Sequence, residues 1–329
     1  MAKRVKMKVN EEVRNQEVES IKTFESGVKE WVSHCRRLGK SEQTVKWYNQ
    51  KTNYIFQFIP ADTIINLITQ ETIEDFIDQH LNRIDENGKP NPMKATTLNG
   101  YIRCLRSLFN WFVEKEYTDQ KINLKTIQEG TIVKPTFSKS ELKQLLTKPN
   151  MKTCRFSEYE CWVICNVLYA TGTRASTICN LKINNIDFEN NAFFFDVMKG
   201  NKKSFMPFPP ILTPILQQFI KVRGKLEHNF LFVNSYGGQL DIKVLNHMLN
   251  RFYKSRGVST TGIHTWRHTF AKDYIIAGGS SLKLQAILDH ETLDMTKHYV
   301  KLYGIDKRDD VCNPLQTFKE NTGYMKINS

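Results

Sequence analysis

Apolar residues recur at helical spacing through the first third of the chain. Between positions 21 and 35 they lie three or four residues apart, and Gly39 follows where that helix would end. A second helix is predicted to begin after Ser41, a residue type that caps helix N-termini, and Pro60 would stop it. A third helix is predicted over Glu71 to Leu81. The pattern indicates a bundle of helices.

The fourth predicted helix has the most regular apolar stripe. That stripe contains Leu98, Tyr101, Ile102, Leu105, Leu108, Phe109, Phe112 and Val113. The opposite side carries Asn99, Arg103, Arg106 and Asn110. The stripe is typical of a core face. The basic side is compatible with a solvated surface and, equally, with contact to phosphate groups.

The helical period is lost between residues 118 and 137, and a linker is predicted there. A new unit begins with a capping box, in which Ser138 and Glu141 satisfy each other's backbone amides. The block 186–210 contains apolar strand-like segments on either side of the turn KGNKK, which predicts a β-hairpin with a lysine-rich tip. Further helices are predicted at about 138–147, 158–170, 174–181, 211–222, 241–255, 265–277, 281–288 and 292–300.

These patterns predict a mainly α fold with a small antiparallel β-sheet, in which an N-terminal all-α bundle precedes an α+β domain. The length of 329 residues suits two domains, and the hydrophobic content of 40% is enough for packed cores. The formal net charge of +13 favours a polyanionic partner such as DNA or RNA, although a basic solvated surface would give the same count.

The chain has neither an apolar run long enough to span a membrane nor a signal-peptide pattern at its N-terminus, MAKRVKMKVNEEVRNQ. We therefore expect a cytoplasmic, nucleoid-associated protein with no membrane partner. Seven cysteines are present, an odd number without a CxxC pair, which favours reduced buried thiols.

The stretch IHTWRHTFA, residues 263–271, has a histidine and an arginine three residues apart, so His264 and Arg267 share one face of a helix. His264 and His268 have the spacing of a zinc-binding helix. That motif needs glutamate directly after the first histidine, and the chain has Thr265 there. No metal site is predicted, and His268 is interpreted as a structural hydrogen-bonding residue.

Four segments resemble, in order, the motifs of the tyrosine recombinases, the phage integrase and Xer family. TGTRAST resembles the first arginine motif, VMKGNKKSFMP the lysine turn, IHTWRHTFA the H-x-x-R motif and ILDHETLDMTKHYV the final motif. The resemblance covers about residues 138 to 303, and the first unit resembles the family's core-binding domain more loosely. The catalytic set that it implies is Arg174, Lys199, His264, Arg267, His290 and Tyr299.

The resemblance implies site-specific DNA recombination through a 3′-phosphotyrosyl intermediate. Tyr299 would be the nucleophile, and Tyr303 is the nearest alternative tyrosine. Arg174 and Arg267 would hold the non-bridging oxygens, a task that suits the planar and permanently charged guanidinium. Arg174 is expected at a helix start, just after Gly172. The covalent link stores the energy of the broken bond, so no cofactor, ATP or metal is implied.

The remaining roles concern protons. Lys199 would protonate the leaving 5′ oxygen, and Lys202 is the second candidate for that acid. His264 would act as base and then as acid for the tyrosine, and His290 would hydrogen-bond the phosphate. Without the resemblance, each of these residues is equally well explained as an ordinary turn lysine or packing residue.

The sequence departs from the family pattern at two positions. The acidic residue usual three positions after the first arginine is Thr177 here, so a support for Arg174 is expected to be missing or replaced. The glycine usual before the late histidine is Asp289, which adds a negative charge beside the expected phosphate site unless the carboxylate points away or pairs with a lysine.

The resemblance also implies an organisation and partners. Two domains would clamp duplex DNA at recombination sites, and four copies, as two dimers, would form the synaptic complex, with accessory DNA-bending or directionality proteins possible. Additional DNA contacts are expected from Lys46, Lys51, Arg103, Arg106, Lys202 and Lys203. The predicted divisions are a basic N-terminal extension (1–20), a helical core-binding domain (21–117), a linker (118–137), a catalytic recombinase domain (138–313) and a tail that neighbouring protomers could exchange (314–329).

Integration or excision of a mobile element is the favoured role. A chromosome-dimer-resolving Xer-type recombinase is the alternative within the family. A type IB topoisomerase, a catalytically inactive DNA-binding protein and a metal-dependent nuclease are the alternatives outside it.

Overall fold

The computed structural model describes residues 22–128, 134–196, 203–289 and Thr292, and the chain divides into two compact units between Ile132 and Val133. The first unit is helical. The second unit combines helices with a small three-stranded sheet. The predicted fold class, mainly α with a small antiparallel β-sheet, is confirmed.

Over residues 22–128, the first unit has four α-helices and one short 3-10 helix at Ile65–Leu67. The α-helices are α1 (Phe24–Arg37), α2 (Glu42–Ile55), α3 (Gln70–Leu81) and α4 (Ala95–Glu114).

Hydroxyl side chains cap the first three of these helices. Thr23, Ser41 and Thr69 each accept a hydrogen bond from the backbone N–H three residues later, which satisfies an otherwise unpaired donor at the helix start. The predicted cap at Ser41 is thus confirmed. Helix α2 ends at Ile55, five residues before Pro60, because the chain tightens into turns in which the N–H groups of residues 58 and 59 both donate to the Ile55 carbonyl.

The core of the first unit forms where α1 crosses α4. Phe24, Phe109 and Phe112 form a cluster of rings with centroids 5.3–6.4 Å apart, and each is at most 1% exposed. Gly27 permits this close approach, since a Cβ there would lie 2.6 Å from Ile65 Cδ1 and 2.8 Å from the Phe112 ring. Burial of each such aromatic side chain stabilises the unit by about 1.5–3 kcal/mol.

Residues 118–128, which we call the covering segment, pack onto the first unit, whereas the sequence predicts a linker over 118–137. Ile122 and Leu124 are buried with the core of this unit. The side-chain amide of Asn99 both donates to the Ile127 carbonyl (2.9 Å) and accepts from the Ile127 N–H (2.8 Å). Arg106 donates to the Leu124 carbonyl. The segment lacks helical periodicity because it is an extended strap, not because it is free.

The second unit contains seven α-helices among the described residues, with a second 3-10 turn at Ile183–Asn185. The helices are α5 (Lys139–Leu146), α6 (Phe156–Thr171), α7 (Ala175–Asn180), α8 (Leu212–Arg223), α9 (Ile242–Ser255), α10 (His264–Ile276) and α11 (Ser281–Leu288). The strands are β1 (Ile186–Asp187), β2 (Ala192–Asp196) and β3 (Lys203–Pro207).

Helix α6 is the centre of this unit. It is buried around most of its circumference, and α5, α8, α9 and α10 pack against it. The predicted capping box at the start of α5 is confirmed, because Ser138 accepts from the Glu141 N–H while the Glu141 carboxylate accepts from the Ser138 N–H.

The sheet is antiparallel with the order β1-β2-β3. Strands β2 and β3 pair from Ala192 with Pro207 to Asp196 with Lys203, so the predicted hairpin is confirmed. Its lysine-rich tip, residues 197–202, lies outside the described residues, as does the helix predicted over 292–300 apart from Thr292. No helix in the described part of the chain is long and apolar enough to cross a membrane.

Candidate active site

A tight turn between α6 and α7 positions Arg174. Gly172 ends α6 in the left-handed conformation (φ 61°, ψ 18°), and its N–H donates to the Leu168 carbonyl at 2.9 Å. Arg174 is then the N-cap residue of α7, and its side chain is 42% exposed. The expectation that this arginine lies at a helix start, two residues after Gly172, is confirmed.

Arg267 lies on α10 and is only 7% exposed. One terminal nitrogen of its guanidinium donates to the Gly172 carbonyl at 3.1 Å, and the other donates to the Leu288 carbonyl at 2.6 Å. Both acceptors lie at helix C-termini, where carbonyl groups have no partner within the helix and carry partial negative charge. Buried carbonyls therefore hold the guanidinium in one orientation.

Arg174 is held by the residue that follows Leu288. Its Nη2 donates to the backbone carbonyl of Asp289 at 2.8 Å, and its Nη1 donates to the Asp289 carboxylate at 3.2 Å. The Asp289 carboxylate therefore forms an ion pair with an arginine, whereas the sequence analysis considers a lysine as its partner. Two consecutive residues at the end of α11 thus support both arginines.

His264 is the first residue of α10 and is exposed. Its pKa is lowered from the ordinary value, chiefly by partial burial of the ring and further by the positive charges of Arg267, Lys134 and Arg174. The imidazole is therefore neutral at neutral pH and available to accept a proton. His264 and Arg267 lie on one helix, as the spacing predicts.

The geometry suits chemistry on an anionic group. Arg174 and Arg267 supply permanent positive charge at one place, and the electrostatic effect of both reaches His264. Oriented guanidinium groups stabilise negative charge that develops on phosphoryl oxygens, while a neutral imidazole can move a proton. This combination fits phosphoryl transfer to or from a hydroxyl group.

Two family models match the chain. The model of the phage integrase family matches residues 135–304, which is more than half of the chain, and the model of the phage integrase SAM-like domain matches residues 24–126. The chain belongs to the phage integrase family. It is a tyrosine-type site-specific recombinase.

Curated relatives of this recombinase are similar along most of their length. A tyrosine recombinase XerC from Anoxybacillus flavithermus is 25% identical over 270 residues, which are 79% of this chain and 87% of the relative. A tyrosine recombinase XerD from Listeria innocua is 23% identical over 282 residues, which are 82% of this chain and 92% of the relative.

Solved structures share the fold of the recombinase at low sequence identity. The integrase of the transposon Tn1549, in complex with transposon right end DNA, has a TM-score of 0.70 and is 17% identical, and the match covers 91% of this chain and 100% of that one. A lambda integrase dimer bound to a COC′ core site has a TM-score of 0.67 and is 15% identical, with coverage of 98% and 85%.

The structure adds Lys134 to the residues around His264, a residue that the sequence analysis does not include. The segment after it is fixed to α10, because the Phe137 N–H donates to the Thr269 hydroxyl at 2.9 Å and the Phe137 ring lies 4.6 Å from the Trp266 ring. No local sequence pattern indicates this contact, because Thr269 is 132 residues away from Phe137 along the chain. The predicted linker therefore includes part of the second unit.

Half of the predicted catalytic set lies within the described residues. The structure brings Arg174, His264 and Arg267 together. Lys199, His290 and Tyr299 lie outside the described residues, as do the two alternatives. These alternatives are Lys202 and Tyr303.

The predicted DNA contacts of the first unit differ in their surroundings. Lys46 and Arg103 are exposed. Lys51 lies over the Tyr101 ring, 3.7 Å from its centroid, and burial lowers its pKa. The Arg106 guanidinium donates a hydrogen bond to the Leu124 carbonyl of the covering segment. In the second unit, the backbone of Lys203 pairs with Asp196, and this is the last strand pair before the hairpin tip.

No group of three or more His, Cys, Asp or Glu side chains that could hold a metal lies within the described ranges. His268 lies half-buried on α10. The six cysteines in the described part of the chain are free thiols, and all but Cys154 are buried.

Proposed function

We propose that this recombinase cleaves and rejoins duplex DNA at specific sites through a 3′-phosphotyrosyl intermediate. The observation that carries the proposal is the set of Arg174, Arg267 and His264: carbonyl oxygens fix two guanidinium groups, whose positive charges help to lower the pKa of the His264 imidazole. The arginines hold the two non-bridging oxygens of the scissile phosphate, where charge builds in the transition state.

In the forward step, the phenolic oxygen of Tyr299 attacks the phosphorus, and the bond from phosphorus to the 5′ oxygen breaks. His264 takes the proton of the phenol, and Lys199 gives a proton to the leaving oxygen. His290 hydrogen-bonds the phosphate. The products are a phosphotyrosyl link at the 3′ end and a free 5′-hydroxyl.

Rejoining reverses these steps. A 5′-hydroxyl attacks the phosphotyrosyl phosphorus and loses its proton to Lys199, and Tyr299 regains a proton from His264. Each bond that breaks is matched by one that forms, so the cycle consumes neither ATP nor a metal-bound nucleophile. Lys202 is the substitute for Lys199 if the hairpin tip presents that residue instead.

The partners in this proposal are double-stranded recombination sites and three further copies of the chain. Solved relatives with the same fold include a lambda integrase dimer bound to a core site and a lambda integrase tetramer bound to a Holliday junction. Residues 314–329 are proposed to exchange between protomers. Deletion of this tail should leave binding to a single site intact and weaken synapsis in a gel-shift assay with two sites, and unchanged assembly would contradict this role.

Integration and excision of a mobile element is the biological role that we propose. The Xer-type role is the second candidate, favoured by the XerC and XerD relatives at 25% and 23% identity. Covalently trapped DNA from cells separates the two. Trapped junctions at the ends of a circularised element support the first role, and trapping at one fixed chromosomal locus supports the second. The cytoplasmic, nucleoid-associated location and the accessory proteins stay predictions.

The test of the chemistry uses a nicked suicide DNA substrate that carries the recombination site, in buffer with EDTA. Wild type should form a covalent adduct, Tyr299→Phe should form none, and the matched control Tyr303→Phe should form as much as wild type. An adduct that persists in Tyr299→Phe would place the nucleophile elsewhere. Cleavage that requires a divalent metal would favour a nuclease, DNA binding without cleavage an inactive binding protein, and relaxation of supercoils without strand exchange a type IB topoisomerase.

A further inference from the structure

Asp289 lies where a negative charge is unexpected beside a phosphate-binding arginine. Its carboxylate is 86% exposed and contacts the Arg174 guanidinium at 3.2 Å. A carboxylate at this place repels a DNA phosphate and therefore weakens DNA binding. We therefore expect the carboxylate to have a favourable effect on Arg174 that offsets this loss.

The contact uses only part of the guanidinium. An arginine side chain has five N–H donors. Asp289 accepts one hydrogen bond from each terminal nitrogen of Arg174, one through its carbonyl oxygen and one through its carboxylate. Within the described part of the chain, this leaves Nε–H and one N–H on each terminal nitrogen, which include an edge of the guanidinium that can meet two phosphate oxygens at once.

The backbone of Asp289 fixes the direction of the carboxylate. The residue follows the last residue of α11 and adopts the left-handed conformation (φ 50°, ψ 54°), which aspartate and asparagine tolerate better than most side chains. Its N–H donates to the Ala286 carbonyl at 3.1 Å. The carbonyl contact with Arg174 is therefore available to any residue at this position, and the carboxylate contact is specific to Asp289.

The ion pair between Arg174 and Asp289 contributes little to the folding stability of the second unit. Exposed ion pairs contribute little to the free energy of folding, because solvent screens them and both side chains lose conformational freedom. Arg174 is 42% exposed and Asp289 is 86% exposed. The effect of the pair is therefore expected in the chemistry of the site.

We propose that Asp289 is a positioning residue for Arg174. Its carboxylate holds the guanidinium plane so that the opposite edge meets the scissile phosphate, and it does so at a cost in DNA affinity. This inference rests on the proposed function. It predicts that removal of the carboxylate slows cleavage of bound DNA and tightens binding, whereas a merely structural role would weaken both.

The test compares Asp289→Ala, Asp289→Asn and the control Glu227→Ala, which removes an exposed carboxylate elsewhere in the second unit. Single-turnover cleavage of the nicked substrate is measured at saturating DNA, and affinity is measured by anisotropy of labelled duplex at several salt concentrations. Asp289→Ala should cleave about tenfold more slowly, since small displacements of a positioning group are costly. It should also bind about two- to fivefold more tightly at low salt, because one opposing charge is gone.

Asp289→Asn separates the two effects. Asparagine tolerates the same backbone conformation and keeps an oxygen acceptor for Arg174, so cleavage should stay within about threefold of wild type while binding tightens as in the alanine variant. Glu227→Ala should leave the cleavage rate of bound DNA unchanged. Unfolding curves of Asp289→Asn and Glu227→Ala should match wild type, and that of Asp289→Ala should show a small loss of stability, because alanine tolerates the left-handed conformation less well than aspartate.

Two outcomes would overturn the inference: wild-type cleavage in Asp289→Ala, or parallel losses of affinity and cleavage in that variant. Both are distinct from failure of the proposed function. That failure would appear in the wild-type chain itself, as the absence of a covalent adduct that depends on Tyr299.

Discussion

Gly172 lies beside the groups that hold both arginines: its own carbonyl contacts Arg267, and it packs against Leu288, which precedes the Asp289 that holds Arg174. Its replacement by alanine is therefore expected to disturb both arginines. The residue has φ +61°, and a Cβ atom there would lie 2.4 Å from Phe270 Cδ1 and 2.9 Å from Leu288 Cδ2. Its carbonyl accepts a hydrogen bond from Arg267 at 3.1 Å. Alanine therefore strains the backbone and drives two side chains of the neighbouring helices away.

The two costs are of similar size. The left-handed conformation costs a non-glycine residue about 1–2 kcal/mol. Overpacking against Phe270 and Leu288 adds about 1–3 kcal/mol. The free energy of unfolding of the second unit should therefore fall by roughly 2–5 kcal/mol in Gly172→Ala. Cleavage of bound DNA should also slow, because displacement of Leu288 moves the carbonyl that holds Arg267.

Gly257→Ala is the matched control. Gly257 has φ +71°, and a Cβ atom there would have no atom of the described residues within 4 Å. Its replacement should cost only the backbone term of about 1–2 kcal/mol and leave cleavage of bound DNA unchanged. Urea unfolding followed by tryptophan fluorescence measures the first effect, and single-turnover cleavage measures the second. Equal losses of stability in the two variants would refute the packing argument, and wild-type cleavage in Gly172→Ala would refute the link to Arg267.

Three further predictions concern single side chains. Glu160 is 1% exposed, and burial raises its pKa from 4.5 to about 8, so the stability of the second unit should fall as pH rises from about 4.5 through about 8. Glu160→Gln should remove that fall in urea unfolding at pH 5 and 8, and an unchanged pH dependence would contradict it. Lys134→Ala should raise the pKa of His264 and move the acid limb of the pH–rate profile to higher pH, whereas an unmoved limb would exclude the charge effect. Asn99→Ala should destabilise the first unit by about 1–3 kcal/mol, because two hydrogen bonds to the covering segment are lost, and wild-type unfolding would show that water replaces them.

Helices and strands could be predicted from the sequence where residues close together in the chain determine them. Apolar residues three and four apart define α1 and α4, and the hydroxyl groups of Ser41 and Ser138 cap helices by contacts within three residues of sequence. Such patterns depend on nothing that lies far away in the chain. The same holds for the hairpin, in which strands on either side of a short polar turn pair with each other.

The polar face of α4 was harder to interpret because its partner is distant in sequence and has no period. Asn99 and Arg106 belong to the face predicted to meet solvent or phosphate, yet both contact the backbone of the covering segment. An extended strap binds through carbonyl and amide groups, which every residue has. Side-chain patterns therefore do not indicate which polar face such a strap covers, and Arg103 on the same helix remains exposed.

In the candidate site too, the sequence predicts which side chains take part but not the backbone groups that orient them. The motifs identify Arg174, Arg267 and His264, but the groups that orient the arginines are mostly carbonyl oxygens at the ends of α6 and α11. Because the carbonyls of Leu288 and Asp289 are adjacent, one helix end serves both guanidinium groups. A rearrangement of that helix end would displace both arginines at once, so we expect a variant that alters it to impair the proposed phosphate binding of both arginines together. Among the contacts of Arg174 in the described residues, the one with the Asp289 carboxylate is made by a side chain, so it is the contact that the sequence controls.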